Sequence, residues 1–257
     1  MIIDDYARLF RLDGRQALVV GAGNGIGRES ALALAAQGAE VIAADVDGAA
    51  AADTARLAGG RDYQLDVLDP EAIRAAAADL DEVDILVFTA ATNVRKRIVD
   101  YTDEDFDRVI GLNLAASFRL IRAFGAPMAE RGRGSIIGFS SIRATLVEPG
   151  QGVYAATKAG LIQLLRTAAA EFGPSGVRCN AVAPGIVETP LTAQIRADRA
   201  WSDAYAQKSA LGRWAQPSEI AGAVVFLAGD AASYVTGSCL MVDGGWTAVD
   251  GRYTPPA

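Results

Sequence analysis

The chain contains no histidine among its 257 residues, and that absence removes whole classes of chemistry. A Ser-His-Asp triad, an H-E-x-x-H site and an imidazole proton shuttle are all excluded. Proton transfer has to run through Asp, Glu, Lys, Tyr or Cys. Cysteine is scarce as well: Cys179 and Cys239 stand far apart without C-x-x-C spacing, and they are expected as buried thiols in a reducing compartment. Neither has the surroundings of a nucleophile or a ligand, so no metal is expected. Basic charge is not in excess; the formal net charge of -7 argues against a nucleic-acid partner. No apolar run approaches the roughly 20 residues of a membrane span, so no membrane partner is expected. Met1 to Arg15 lacks a basic-then-apolar signal pattern, which gives a cytoplasmic expectation.

What is present is ordinary for a globular protein with a large core: 51% hydrophobic and 21% charged residues. The length suits one α/β domain, since such folds commonly reach roughly 250 residues without splitting. A single domain over 1–257 is expected, with 1–13 as a lead-in whose Tyr6, Leu9 and Phe10 pack on the domain's edge. Residues 189–215 are expected as a lid carrying Trp201, Tyr205 and Trp214, and 247–257 as a tail.

The densest signal lies in Gln16 to Asp45. The apolar run Ala17 to Val20 predicts a strand buried on both faces. Gly21, Gly23, Gly25 and Gly27 follow at once, and from Ile26 apolar residues return with helical spacing up to a Gln37-Gly38 stop. The helix N-terminus then faces the glycine turn, where free N–H groups favour an anion. Glu40 to Ala44 form a second strand, and Asp45 stands at its end, where a dinucleotide fold places the acid for the adenosine ribose. Strict G-x-G-x-x-G spacing fails, because the residue three after Gly23 is Ile26. The spacing present is G-x-x-x-G-x-G over Gly21, Gly25 and Gly27.

Strands and helices keep alternating. Helices are expected over Asp47–Ala58, Pro70–Leu80, Thr102 to near Arg131, Val153–Phe172, Thr192–Tyr205 and Pro217–Ala228. Strands are expected over Asp62–Leu65, Ile85–Phe88, Ser135–Phe139, Arg178–Val182 and Leu240–Val242. This alternation predicts an α/β fold, a doubly wound seven-stranded parallel sheet of Rossmann type with helices on both faces.

On the long helix Tyr154 and Lys158 are four residues apart and share a face. A phenol with a pKa near 10 is ionised to only about 0.1% at pH 7, and a neighbouring cation lowers that pKa by roughly 1 to 3 units. Y-x-x-x-K also fits a solvated surface pair. Ser141, however, ends a strand 13 residues earlier, on the edge where open α/β sheets bind ligands. With Asn113 in LNLAASF, these residues resemble the Asn-Ser-Tyr-Lys tetrad of the classical short-chain dehydrogenase/reductases, and the G-x-x-x-G-x-G turn is that family's pattern. The match runs from about Leu12 to Trp246.

The resemblance implies that Tyr154 is the general acid/base, that Ser141 orients the substrate oxygen, that Lys158 lowers the tyrosine pKa and holds the nicotinamide ribose, and that Asn113 keeps a relay water. It implies a cofactor site drawn from Gly21, Asn24, Gly25, Ile26, Gly27, Asp45, Val46, Asp66, Val67, Ala90, Tyr154, Lys158, Pro184, Gly185, Val187 and Thr189. Asn180 and the closing VDGGW at Val242 to Trp246 also match. A carboxylate at Asp45, with no cation at Ala22, Asn24, Val46 or Asp47, points to NAD(H) over NADP(H). The family further implies a homotetramer, with the Thr102–Arg131 and Val153–Phe172 helices at one interface and Pro217–Ala228 with the last strand at another.

Two positions depart from the family pattern. Val20 replaces the usual Thr before the first glycine, and Phe88-Thr89-Ala90-Ala91 replaces Asn-Asn-Ala-Gly. Those side chains usually bond each other, so losing both is expected to remove a tie without leaving an orphan. The expected activity is NAD(H)-dependent interconversion of a secondary alcohol and a ketone. Carbonyl or 3-oxoacyl reduction, and a catalytically silent nucleotide-binding scaffold, are the alternatives. Arg95, Lys96 and Arg97 are either a solvated loop or, through Arg95 and Arg97, a clamp for a substrate carboxylate or phosphate. The ATNVRKRIVDYTDEDFDRVI stretch resembles gluconate-type sugar-acid dehydrogenases of the family, so a sugar, sugar acid or polyol is expected as substrate.

Overall fold

In the computed structural model, which describes residues 3–249, seven parallel strands form one sheet in the order β3-β2-β1-β4-β5-β6-β7. They are β1 (Gln16–Val20), β2 (Glu40–Asp45), β3 (Arg61–Gln64), β4 (Ile85–Phe88), β5 (Gly134–Phe139), β6 (Val177–Pro184) and β7 (Cys239–Val242). The helices are α1 (Ile3–Arg8), α2 (Gly25–Ala36), α3 (Gly48–Ala58), α4 (Pro70–Asp79), α5 (Asp103–Ile110), α6 (Ala116–Arg131), α7 (Gly152–Phe172), α8 (Ala193–Ala197), α9 (Arg199–Ala206) and α10 (Ser218–Ala228). The chain reverses at β1 and β4, so the crevice above their C-terminal ends is the switch point where such sheets bind ligands.

Side-chain alternation in the strands divides the core into two layers. Leu18, Val20, Ile42, Ala44, Leu86, Phe88 and Ile136 face one way, against Leu120, Phe124 and Met128 of α6 and Leu161 and Leu165 of α7. Ala17, Val19, Val41, Ala43, Ile85, Val87 and Ile137 face the other, against Ala31 and Leu34 of α2 and Ile220 and Val224 of α10. Removing one such leucine side chain costs about 2 to 5 kcal/mol. A third cluster, Ile142, Ile186, Ile195, Tyr205, Trp214 and Trp246, lies over the C-terminal edge.

Helix starts follow from the sequence. Asp47 and Asp69 cap α3 and α4, and Thr102 with Asp105 forms a capping box at α5. The expected single helix after Thr102 is interrupted by a π-turn over Gly111–Ala115. The helical stretch Asp103–Arg131 is the one described helix long and apolar enough to cross a membrane; packed on the sheet and α7, it is a core helix. The helix expected over Thr192–Tyr205 breaks at Asp198, whose carboxylate accepts from Trp201 N and starts α9. The lead-in differs from expectation: Tyr6 and Phe10 are exposed at 59% and 44%, and Leu12 is the buried anchor. Of the tail, residues 250–257 lie outside the described residues.

Candidate active site

A cavity of about 620 Å³ runs along the C-terminal ends of β1, β2, β4, β5 and β6. All the residues expected to hold a cofactor line it, from Gly21 in the glycine turn to Thr189 beyond β6. Its size lies in the range of roughly 300 to 1,000 Å³ typical of cofactor sites. The turn fits a group that must be approached by bare backbone. Gly21 and Gly25 have positive φ of 84° and 54°. A Cβ on Gly21 would stand 2.6 Å from Thr89 Oγ1, and one on Gly23 would stand 2.8 Å from Asp45 Oδ2. Asp45 braces the turn by accepting from Gly23 N (2.8 Å) and Asp47 N (3.1 Å). Asp66 folds back on Leu68 N.

The strand-end tie that was expected to be lost is present in another form. Thr89 Oγ1 donates to Gly21 O at 3.1 Å, and Thr89 N donates to Val20 O at 2.9 Å. A hydroxyl from β4's end thus does the fastening, and it bonds the first glycine's carbonyl.

Ser141, Tyr154 and Lys158 converge on the cavity. Lys158 is buried; its Nζ donates to Phe139 O at 2.8 Å and lies 5.6 Å from the centre of the Tyr154 ring. Burial lowers its pKa from 10.5 to about 8, which still leaves most of it charged at pH 7. Tyr154 departs from expectation. Burial raises its pKa above the ordinary value, while the Ser141 hydroxyl and the charges of Arg143 and Arg95 pull against that rise. Ser141 Oγ itself accepts from Arg143 N at 3.1 Å.

Asn113 sits in the π-turn, fully buried and outside the cavity wall. Its amide accepts from Thr92 N and donates to Thr92 O, both at 2.9 Å, and it also donates to Thr157 Oγ1. The wider turn swings this side chain toward the loop after β4 and braces that loop against α7.

Beside Tyr154 a smaller cavity of about 70 Å³ is lined by Asn93, Arg95, Ser141, Arg143, Gln151, Tyr154 and Tyr205, among others. The basic loop divides here. Arg95 reaches the cavity and lies 5.2 Å over the Trp201 ring. Lys96 pairs with Asp105, and Arg97 is exposed and lines neither cavity. The chain turns away at Arg97 into a short 3-10 turn over Ile98–Asp100. An Arg95–Arg97 clamp is therefore not formed.

Against the cavity stands a cluster built on Arg143 and Glu148, which no local motif announced. Arg143 is buried, with Nη2 2.5 Å from Glu148 Oε2. Glu148 further accepts from Tyr205 OH and from Gln151 Nε2, each at 2.5 Å. Tyr205 comes from α9, stacks on Trp214 and meets Trp246 edge-on. A parallel bridge between Val187 and Ala215 closes the base of this lid.

Cys179 is buried and its pKa is pushed up to about 12 by burial, while Cys239 is half-buried and also raised. Such thiols are inert. Among the described residues no cluster suited to a metal occurs.

Comparison with known proteins agrees with this geometry. Residues 21–247 match a family model described as Enoyl-(Acyl carrier protein) reductase. The chain is 41% identical to galactitol 2-dehydrogenase (L-tagatose-forming) of Cereibacter sphaeroides, over 95% of this chain and 99% of the relative. It is 36% identical to gluconate 5-dehydrogenase of Gluconobacter oxydans, over 93% and 97%. A crystal structure of a gluconate 5-dehydrogenase from Burkholderia cenocepacia, in complex with NADP and tartrate, superposes with a TM-score of 0.92 at 34% identity, covering 95% of this chain and 99% of that one.

Proposed function

Because the chain belongs to the short-chain dehydrogenase/reductase family of oxidoreductases, we propose that it uses NAD(H) to interconvert a secondary alcohol and a ketone on a small polyhydroxylated substrate. The observation that carries this reading is the convergence of Ser141, Tyr154 and Lys158 on one cavity whose far end holds the glycine turn and Asp45. Relatives named for galactitol, D-threitol and gluconate support the substrate class.

When bound, the nicotinamide cofactor supplies the hydride donor or acceptor. The glycine turn and the N-terminus of α2 would hold its pyrophosphate, Asp45 its adenosine ribose, and Asp66 with Val67 its adenine. Pro184, Gly185, Val187 and Thr189 would hold the nicotinamide end. Tyr154 Oη gives a proton to the ketone oxygen or takes one from the alcohol, and Ser141 Oγ positions that oxygen. Lys158 steadies the phenolate by its charge. Asn113 holds the loop carrying Ala90 and Ala91 in place through Thr92.

NAD(H) is preferred because Lys158, the sole cation on the cavity wall among the described residues, is held at the end of β5, and β1 and β4 separate it from Asp45 at the end of β2. A 2′-phosphate next to Asp45 would meet like charge and find no partner. The family's homotetramer extends the reading; Phe106 and Phe118, both 46% exposed on α5 and α6, are the apolar groups that such an interface would cover.

The test is nicotinamide absorbance with a panel of polyols and aldonates, on the wild type and on Tyr154→Phe. We expect Tyr154→Phe to bind cofactor normally and to lose turnover by about 10² to 10⁴-fold, the usual worth of a positioned acid/base. Near-normal turnover in that variant would remove the tyrosine from its role.

A further inference from the structure

Two residues after Ser141 stands Arg143, and the short turn that follows β5 folds the pair together. The Arg143 amide donates to Ser141 Oγ at 3.1 Å, and the Ser141 side chain hydrogen-bonds the Tyr154 phenol. Arg143 and Tyr154 line the same cavity of about 70 Å³, so little space separates the guanidinium from the phenol. Each residue is only 8% exposed. A charge buried there is screened far less than one in solvent.

The guanidinium is fixed by its neighbours. Its Nη2 lies 2.5 Å from Glu148 Oε2 and donates to Tyr205 OH at 3.3 Å, and its Cζ lies 5.5 Å from the centre of the Trp246 ring. Glu148 offsets part of the charge. That carboxylate is 21% exposed, lines neither cavity and is shared with Arg95, whose Nη1 lies 3.6 Å from Oε1. Two cations therefore share one carboxylate, and no acidic side chain of the described residues lines the small cavity. The other charged groups nearby are Lys158, one turn along α7 from Tyr154, and Lys208, which lies over the Trp246 ring at 5.5 Å from the lid. The net charge facing the phenol is positive.

We infer that Arg143 is a positioning residue for the proton transfer: from the side of the small cavity it acts as a second cation that stabilises the Tyr154 phenolate, with Glu148 and Tyr205 holding it in place. The inference rests on the oxidoreductase reading above and adds a residue to its machinery. Lys158 cannot carry the task across the pH range, because burial leaves its amine half deprotonated near pH 8. A guanidinium is not deprotonated in proteins, so Arg143 goes on stabilising the phenolate above that pH. The charges of Arg143 and Arg95 are the ones that pull the tyrosine down against its burial.

The experiment follows kcat/KM for polyol oxidation against pH with saturating NAD+. Oxidation needs the phenolate, so the rate rises with pH through the ionisation of the tyrosine. Arg143→Met removes the cation and should move this limb upward by about 1 unit or more, which lowers kcat/KM about 10-fold at pH 7 and lets it recover as the pH rises. Glu148→Gln removes the counter-charge and should move the limb downward. A role in substrate binding or in packing alone would lower the value equally at every pH with the limb unmoved, and that result in Arg143→Met overturns the inference. An unmoved or raised limb in Glu148→Gln would overturn it too, and this variant decides alone should Arg143→Met fail to fold. If no alcohol is oxidised, the oxidoreductase reading fails separately, and Tyr154 is titrated directly with NAD+ bound, by the NMR signal of its labelled ring carbon, assigned through its loss in Tyr154→Phe. That signal should begin to titrate at a lower pH in the wild type than in Arg143→Met. Equal titration in the two, or none in the wild type up to about pH 11, a unit above a free phenol, would refute the inference.

Discussion

Lys158 is kept where a charge is costly. Its ammonium is buried against Phe139 O, and a pKa of about 8 in place of 10.5 amounts to about 3 kcal/mol of differential stability. Below pH 8 the lysine binds its proton in both folded and unfolded chains, so the full penalty applies. Between pH 8 and 10.5 the folded form releases the proton while the unfolded form keeps it, and stability rises with pH. The wild type should therefore gain on Lys158→Met across that interval and run parallel to it below pH 8, as measured by denaturant unfolding. Parallel curves throughout would mean that the amine is solvated. Asp45 sets the opposite polarity elsewhere on the cavity wall, at the end of β2, where its carboxylate braces Gly23. Asp45→Ala should weaken NAD(H) binding and narrow its advantage over NADP(H), and adding Val46→Arg should reverse the preference. Equal or better kcat/KM with NADP(H) in the unmodified protein would contradict the assignment. Both residues were legible in the sequence, because each sits at a fixed offset from a strand or a helix partner. Arg143, Glu148 and Gln151 were not. Their meeting depends on the fold of the loop before α7 and on Tyr205 arriving from α9, and no short spacing encodes that.

Elements read from apolar runs lie close to where they were expected, since β1, β2 and β4 are buried on both faces and carry little else. The interruptions were hidden for physical reasons. A π-turn at Gly111–Ala115 inserts one residue into a helix without altering composition, and a helix break at Asp198 depends on one carboxylate capping α9. The Thr89 tie was hidden as well, because its partner is the carbonyl of Gly21 and not a side chain. Thr89→Val keeps the shape and removes the donor. It should cost about 1 kcal/mol of stability, the typical worth of one such bond, and weaken NAD(H) several-fold by loosening the turn. Chemical denaturation and cofactor titration would measure both, and no change in either would show that the backbone bond from Thr89 N is sufficient.

At the scale of the whole molecule, one parallel sheet brings residues from five strand ends to a single edge, which is how Ser141, Tyr154 and Lys158 come to share one cavity in a chain without histidine. The exposed Phe106 and Phe118 lie on the helices proposed for a subunit interface. Light scattering at micromolar concentration should give four times the 26.7 kDa chain mass, and a monomer would contradict the tetramer. Base composition has a further consequence. Only three of the 24 basic residues are lysines: Lys96, Lys158 and Lys208. Lys158 alone among them lines the large cavity and has an amine pushed toward neutrality by burial. Above about pH 8, where that amine gives up its proton, an acylating or aldehyde reagent small enough to enter the cavity meets a nucleophile there. The large cavity is then open to covalent tagging at its native lysine, with no engineered cysteine, and a bound dinucleotide would shield it.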